Sequence, residues 1–383
     1  MALHFSREEL RQRRERTCAQ LRQRGLHALL VFRQESDFYL TGYDTLGYCF
    51  FQCLYLGAGG ETTLLTRAPD LRQARHTSDI EDIRIWTDRA DSNPAADLKS
   101  ILAEHGCDGK VIGIEFDAYG LTARNWRMLE SQLDGFCSYE DASDIVSKLR
   151  VVKSSAELAY VRRAAELADD ALDAATGLLA PGAWEGDILA AMHSAIFGGG
   201  GDYPGNEFII GAGKDALLCR YFSGRKYLAD NDQLTLEWAG AYRHYHAAMM
   251  RTAIVGHVSD EHRHMHNVAV EALCACEEAL VPGQPLGVVF DAHAGVADAN
   301  GLRDHRLNAC GYSLGTTYTP TWMDWPMLFT GNPVLAQPDM VIFLHMIFVN
   351  SDSGNAMTLG HTVRVTDTGS ERLSRSPLDM IVV

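Results

Sequence analysis

The sequence predicts an α+β protein of two units, a smaller α/β layer over residues 1–147 and a larger domain over residues 156–383. Three observations carry this expectation. At 383 residues, 46% of them hydrophobic, the chain is longer than one core ordinarily serves and apolar enough to fill two. Short apolar runs alternate with helical patterns up to about residue 145. Further on, LAPGAWEGDIL from Leu179 echoes LVPGQPLGVVF from Leu280, so that Pro181 pairs with Pro282, Gly182 with Gly283 and Gly186 with Gly287 at one constant offset. Each copy follows one helical stretch and precedes another. This predicts two similarly built halves about a pseudo-twofold axis, although Pro-Gly turns recurring for their own turn chemistry would leave the same trace.

In chain order, Ser6 to Arg24 reads as an amphipathic helix, with Leu10, Cys18 and Leu21 at helical spacing and Gly25 placed to stop it. The strand Ala28 to Phe32 follows. FYLTGYDTLGYCFF, Phe38 to Phe51, reads as an apolar strand and loop, and further strands are expected at Phe50 to Leu56, Thr62 to Leu65 and Val111 to Phe116. SKLRVVKSS, Ser147 to Ser155, is the expected connection. A long helix from Ala156 ends near Leu179 against Pro181 and Gly182, and another spans Asp260 to Leu280. GGGGDYPGNE, Gly198 to Glu207, lacks the Lys-Ser/Thr or GxGxxG spacing of a phosphate loop and reads as a loop beside a cleft.

Composition excludes some functions. A formal charge of −16 argues against a surface for nucleic acid or anionic membrane, which needs clustered Lys and Arg. The one basic run, Arg11 to Arg16, reads as a solvated helix face. MALHFSREEL lacks the apolar core of a signal peptide and no stretch is long enough to span a bilayer, so a soluble cytoplasmic protein is expected. Nine cysteines without CxxC pairs suit reduced thiols better than disulfides or a zinc site.

Several motifs, in this order, resemble the pita-bread family that includes aminopeptidase P, prolidase, creatinase and ectoine hydrolase. They are FYLTGYD at Phe38, LRVVKSSAELAYVRRA at Leu149, the strand ending in Arg251 and Thr252, SDEHRHMHNVAVEAL at Ser259, GYSLG at Gly311 and VRVTDTGSERLS at Val363. The resemblance implies a pita-bread C-terminal domain preceded by a creatinase-like N-terminal domain. It also implies a homodimer, because in relatives the Phe38 region of one subunit covers its neighbour's cleft. Family metallopeptidases hold two metal ions with two Asp, one His and two Glu, and those positions fall here on Glu237, Ala248, Tyr312, His345 and Gly360. Ala and Gly offer no ligand, so a two-metal hydrolase is hard to build, and no metal or other cofactor is expected. Creatinase and ectoine hydrolase are the metal-free precedent, and Gly311-Tyr312-Ser313 with Tyr318-Thr319-Pro320-Thr321-Trp322 resembles the ectoine hydrolase branch. The catalytic His of creatinase falls on Arg220, or on Cys219 if the gap moves.

The candidate site follows from these positions. His246 lies two residues from Ala248 and so shares its strand face. It is expected to face Glu237, titrate near neutrality and act as acid-base group, or else to be a buried histidine satisfied by backbone. His244 shares that parity further along. His345 is the only polar side chain in MVIFLHMIF and must find a partner, either in the same cavity or within the core. Tyr312 offers a phenol to polarise a carbonyl, or simply fills space. Arg220 is a candidate anchor for a substrate carboxylate, or a partner for a surface acid. Asp324 between Trp322 and Trp325 could hold an organic cation, or the indoles could pack on the core.

The resulting expectation is a metal-independent hydrolase acting on a C–N bond of a small nitrogen-rich metabolite, ectoine- or creatine-like. Glu237, His246, Tyr312 and His345 are its catalytic candidates, and Arg220, Asp324 and Trp325 its substrate-binding ones. The alternatives are a single metal on Glu237, His246 and His345, an Xaa-Pro dipeptidase-like hydrolase, a pocket that binds without turnover, or a lyase acting on a betaine-like substrate.

Overall fold

The computed structural model describes residues 3–220 and 224–383. The chain divides into units at 1–150 and 151–383. In the first, strands β1 (Ala28–Val31), β2 (Cys53–Gly57), β3 (Thr62–Arg67), β4 (Asp82–Trp86), β5 (Val111–Ile114) and β6 (Ser138–Asp141) form one sheet in the order β4-β3-β2-β1-β5-β6. Helices α1 (Arg7–Arg24), α2 (Gln34–Thr41), α3 (Leu71–Thr77), α4 (Pro94–Glu104), α5 (Ala123–Leu133) and α6 (Asp144–Arg150) accompany it, and two separate apolar clusters share its buried side chains.

The boundaries of α1 are set by chemistry visible in the sequence. Ser6 accepts from the Glu9 amide at one end, and Gly25 closes the other at φ 72°. Residues 38–41 are a correction. Instead of a strand they end α2, whose eight residues are all buried and which Gly42 stops at φ 81°. The Thr41 hydroxyl bonds back to Asp37, a local contact that supports the helical turn while the aromatic residues beside it favour a strand.

The second unit begins with α7 (Ser155–Thr176), capped reciprocally by Ser154 and Glu157. There follow α8 (Glu185–Gly198), β7 (Ile209–Ala212), β8 (Asp232–Tyr242), β9 (Tyr245–Val255), α9 (Asp260–Ala279), α10 (Gly287–Ala299), β10 (Gly311–Ser313), β11 (Asp324–Met327), β12 (Val341–Asn350) and β13 (Asn355–Val365). The sheet order is β11-β10-β12-β13-β9-β8-β7. Its symmetry about the β13-β9 junction is the echo made visible: helix pair, short strand, then long hairpin, twice. The turns repeat bond for bond. Gly182 donates to Leu228 O and Gly283 to Ala336 O, while Leu228 and Ala336 donate back to Ala183 and Gln284. Both glycines sit at positive φ, 78° and 84°, where a side chain would be strained.

Candidate functional site

The register of the central strands sets the site. Glu237 lies opposite Met250, Met250 opposite Gly360 and Gly360 opposite His345. Directly opposed residues point to the same face, so these four form one row across β8, β9, β13 and β12. Ala248 shares the parity of Met250, and Tyr312, opposite Phe343, shares that of His345. On a flat sheet Glu237 and His345 would stand three strand spacings apart, about 14 Å. Both nonetheless line one cavity of about 130 Å3, so the sheet curls around it. Arg220, Cys219, Tyr312 and Trp322 line the same cavity.

Trp322 and Tyr312 are hydrogen-bonded beside Glu237 at the cavity. An indole N–H can only donate, so Trp322 Nε1, at 2.9 Å, makes the Tyr312 oxygen an acceptor and leaves the phenol hydrogen for the Glu237 carboxylate. Burial, then the charge of Glu237, hold the Tyr312 phenol well above its ordinary range, which keeps it a donor. Glu237 is 8% exposed, and burial pushes its carboxyl up to about 7 against the opposing pull of Arg220 and the Tyr312 hydroxyl. It is a carboxylate poised to exchange a proton near neutrality.

His345 reaches the cavity from the middle of β12, its ring 5.6 Å from that of Tyr312. Burial first, and the neighbouring His293 second, push its imidazole down to about 3, so the ring is neutral, and its Nδ1 is buried without a hydrogen-bond partner. Arg220 stands exposed at the wall with Nη2 3.6 Å from Met323 Sδ. Among the described residues no carboxylate forms an ion pair with it.

Three expectations are corrected. His246 has the anticipated parity but pairs with Ala241, four residues along from Glu237. At about 3.4 Å per residue that is roughly 14 Å away. Its Nε2 accepts from the Gly205 amide at 2.8 Å, Nδ1 lies 3.1 Å from Thr317 Oγ1, and burial pushes it down to about 4. The group near neutrality is therefore the carboxylate, not a histidine. His244 is not on a strand at all. With Arg243 it forms the β8-β9 turn at φ 50° and 65°, and it stacks on Tyr318 at 4.4 Å. Asp324 and Trp325 do not line the cavity: β11 alternates, turning Trp325 outward at 38% exposure, while the Asp324 side chain is buried against Gly315 beside Lys153.

Sequence reasoning missed Asn206 and undervalued Trp322. Asn206 lines the cavity and its Oδ1 accepts from the Trp322 amide at 3.3 Å. The segment 198–207 was expected beside a cleft, but which of its residues faces in is set by its course past β9 and by no local pattern.

A curled antiparallel sheet backed by two equivalent helix pairs defines the pita-bread class of hydrolase folds. The chain belongs to metallopeptidase family M24, whose profile matches residues 159–367, and residues 13–152 match the creatinase/prolidase N-terminal domain. It is 26% identical to the ectoine hydrolase of Halomonas elongata over 400 residues, spanning 100% of this chain and 99% of that one. It is 26% identical over 391 residues to an uncharacterized hydrolase/peptidase of Sinorhizobium fredii, spanning 99% of each. The prolidase of Thermococcus sibiricus superposes with a TM-score of 0.89 at 19% identity, over 99% of this chain and 100% of that one. These relationships make the protein a hydrolase of this family.

The family name implies metal, and the donor set does not fit a two-metal centre. Among the described residues no three His, Cys, Asp or Glu side chains converge as a metal site would require. At Gly360 even a Cβ would lie 2.6 Å from Leu344 O and 3.0 Å from the Phe343 ring, so the space a ligand carboxylate needs is already filled. His246, held by Gly205 and Thr317, does not join Glu237 and His345.

Proposed function

We propose that the protein hydrolyses a C–N bond in a small nitrogen-rich metabolite, ectoine- or creatine-like, without a metal ion. The observation that carries this reading is the Trp322–Tyr312 hydrogen bond beside Glu237, a buried carboxyl near neutral pKa at the wall of the cavity. At about 130 Å3 the cavity falls below the ~300–1,000 Å3 typical of sites for drug-sized ligands, which favours a single small metabolite over an extended peptide.

In this mechanism the Glu237 carboxylate takes a proton from water as its oxygen attacks the amide or amidine carbon. The tetrahedral carbon then expels nitrogen, which receives the proton from Glu237 as the C–N bond breaks. Tyr312 keeps the carboxylate oriented, and its hydrogen bond stabilises the ionised form. Neutral His345 offers its ring to the substrate as a hydrogen-bonding group, and Arg220 pairs with a substrate carboxylate. Likeness to an ectoine hydrolase along the whole chain supports the C–N reading.

The test is a thermal-shift screen with ectoine, creatine, betaines and short peptides, followed by product analysis of each stabilising compound. Cleavage of a cyclic amidine or guanidino compound, abolished in Glu237→Gln, is the expected result. A stabilising ligand left chemically intact for hours, or cleavage confined to Xaa-Pro peptides, would overturn the proposal.

A further inference from the structure

A side chain outside the cavity joins the loops that reach its wall. His246 is fully buried, and every polar atom of its ring is engaged by a loop rather than by its own strand. Nε2 accepts from Gly205 N at 2.8 Å, while Nδ1 lies 3.1 Å from Thr317 Oγ1 and 3.3 Å from Gly315 O. The two loops it joins meet again on the far side. A Cβ on Gly205 would touch Thr321 O at 2.7 Å, and the neighbouring Asn206 accepts from Trp322 N. Asn206 and Trp322 line the cavity, and Trp322 donates to Tyr312. The contacts thus run from His246 through Gly205, Asn206 and Trp322 to Tyr312, whose hydroxyl favours the ionised form of Glu237.

We propose that His246 is a positioning residue: its neutral Nε2, as acceptor for the Gly205 amide, fixes the Asn206–Trp322 wall and through it the orientation of Tyr312 toward Glu237. A ring nitrogen is required there because Gly205 N–H is buried with His246 as its acceptor, and an apolar replacement would leave that donor unsatisfied. The two loops would then lose the side chain that joins them. This rests on the hydrolase reading only for its effect on turnover; the effect on the wall is independent of it.

The wall is read without substrate through Cys219, a half-buried cavity thiol. Its alkylation by iodoacetamide at pH 8.5 is followed by peptide mapping in wild type, His246→Leu, His246→Asn and His246→Gln, each checked for fold by circular dichroism. The Gln amide oxygen reaches the place of Nε2 and keeps the acceptor; Leu removes it and Asn reaches only toward Thr317. We expect Cys219 to react about tenfold faster in the Leu and Asn variants, the scale of one lost buried hydrogen bond, and at the wild-type rate in Gln. Once a substrate is identified, Leu and Asn raise KM more than they lower kcat, and Gln restores both. Wild-type labelling in folded Leu or Asn, or Gln labelling as fast as theirs, overturns the proposal. If Leu does not fold, the Asn and Gln pair decides it. Should no substrate be found, the labelling result still stands, so failure of the hydrolase reading and failure of this one are separable.

Discussion

At the scale of single residues, Glu237 carries the proposed chemistry. Its carboxyl is held at about 7, above the ordinary 4.5, chiefly by burial. A raised acid stabilises the fold while it is protonated, below the unfolded value, and loses that contribution as pH climbs through the folded one. Urea unfolding should therefore show wild type losing on the order of 3 kcal/mol more than Glu237→Gln between pH 5 and pH 8. Equal slopes for the two proteins would contradict the assignment. Removing the phenol tests the hydrogen bond. Tyr312→Phe withdraws a donor to the ionised form, so the ionisation seen in kcat/KM should move to higher pH and kcat should fall by about 10- to 100-fold. An unmoved profile would leave Tyr312 as filling only. Glu237 and His345 could be placed from family positions alone, because strand register preserves them even where the ligand types are gone. His246 could not, because parity tells which face a side chain takes and not how far along the strand it stands.

At the scale of elements the repeat supplies the strongest check. Gly182 and Gly283 occupy equivalent turns at φ 78° and 84°, with equivalent bonds to Leu228 and Ala336. Changing either to Ala should cost about 1–2 kcal/mol, and the two costs should be alike, measured by denaturant midpoints at constant m-value. Markedly unequal losses would mean that the turns are alike only in outline. Elements announced by caps and glycines, such as α1 and α7, were legible in the sequence. In the first unit β4 and β6 were not: β4 is partly exposed and β6 almost wholly so, and neither carries the apolar run that marks a strand. The β8-β9 turn was hidden for another reason. Arg243 and His244 take positive φ without the Asn-Gly or Asp-Gly signature that such turns usually show, so the strand pattern ran straight through them.

At the scale of the whole molecule, neither half of the repeat makes the site alone. Glu237 comes from the first hairpin, while Tyr312 and His345 come from the strands of the second half, and only the curl of the sheet brings them to one cavity. The fold is that of a metallopeptidase family, yet the places where the family resemblance puts a metal pair's ligands include Ala248, Gly360 and Tyr312, and a Cβ on Gly360 would lie 3.0 Å from the Phe343 ring. On the proposed reading the chemistry comes from groups that titrate. Turnover of the identified substrate, measured across pH on protein exhaustively chelated and shown metal-free by elemental analysis, tests this directly. An undiminished rate governed by one ionisation near 7 is the expected result. Activity lost with the metal and restored by adding back Mn, Zn or Fe would contradict it.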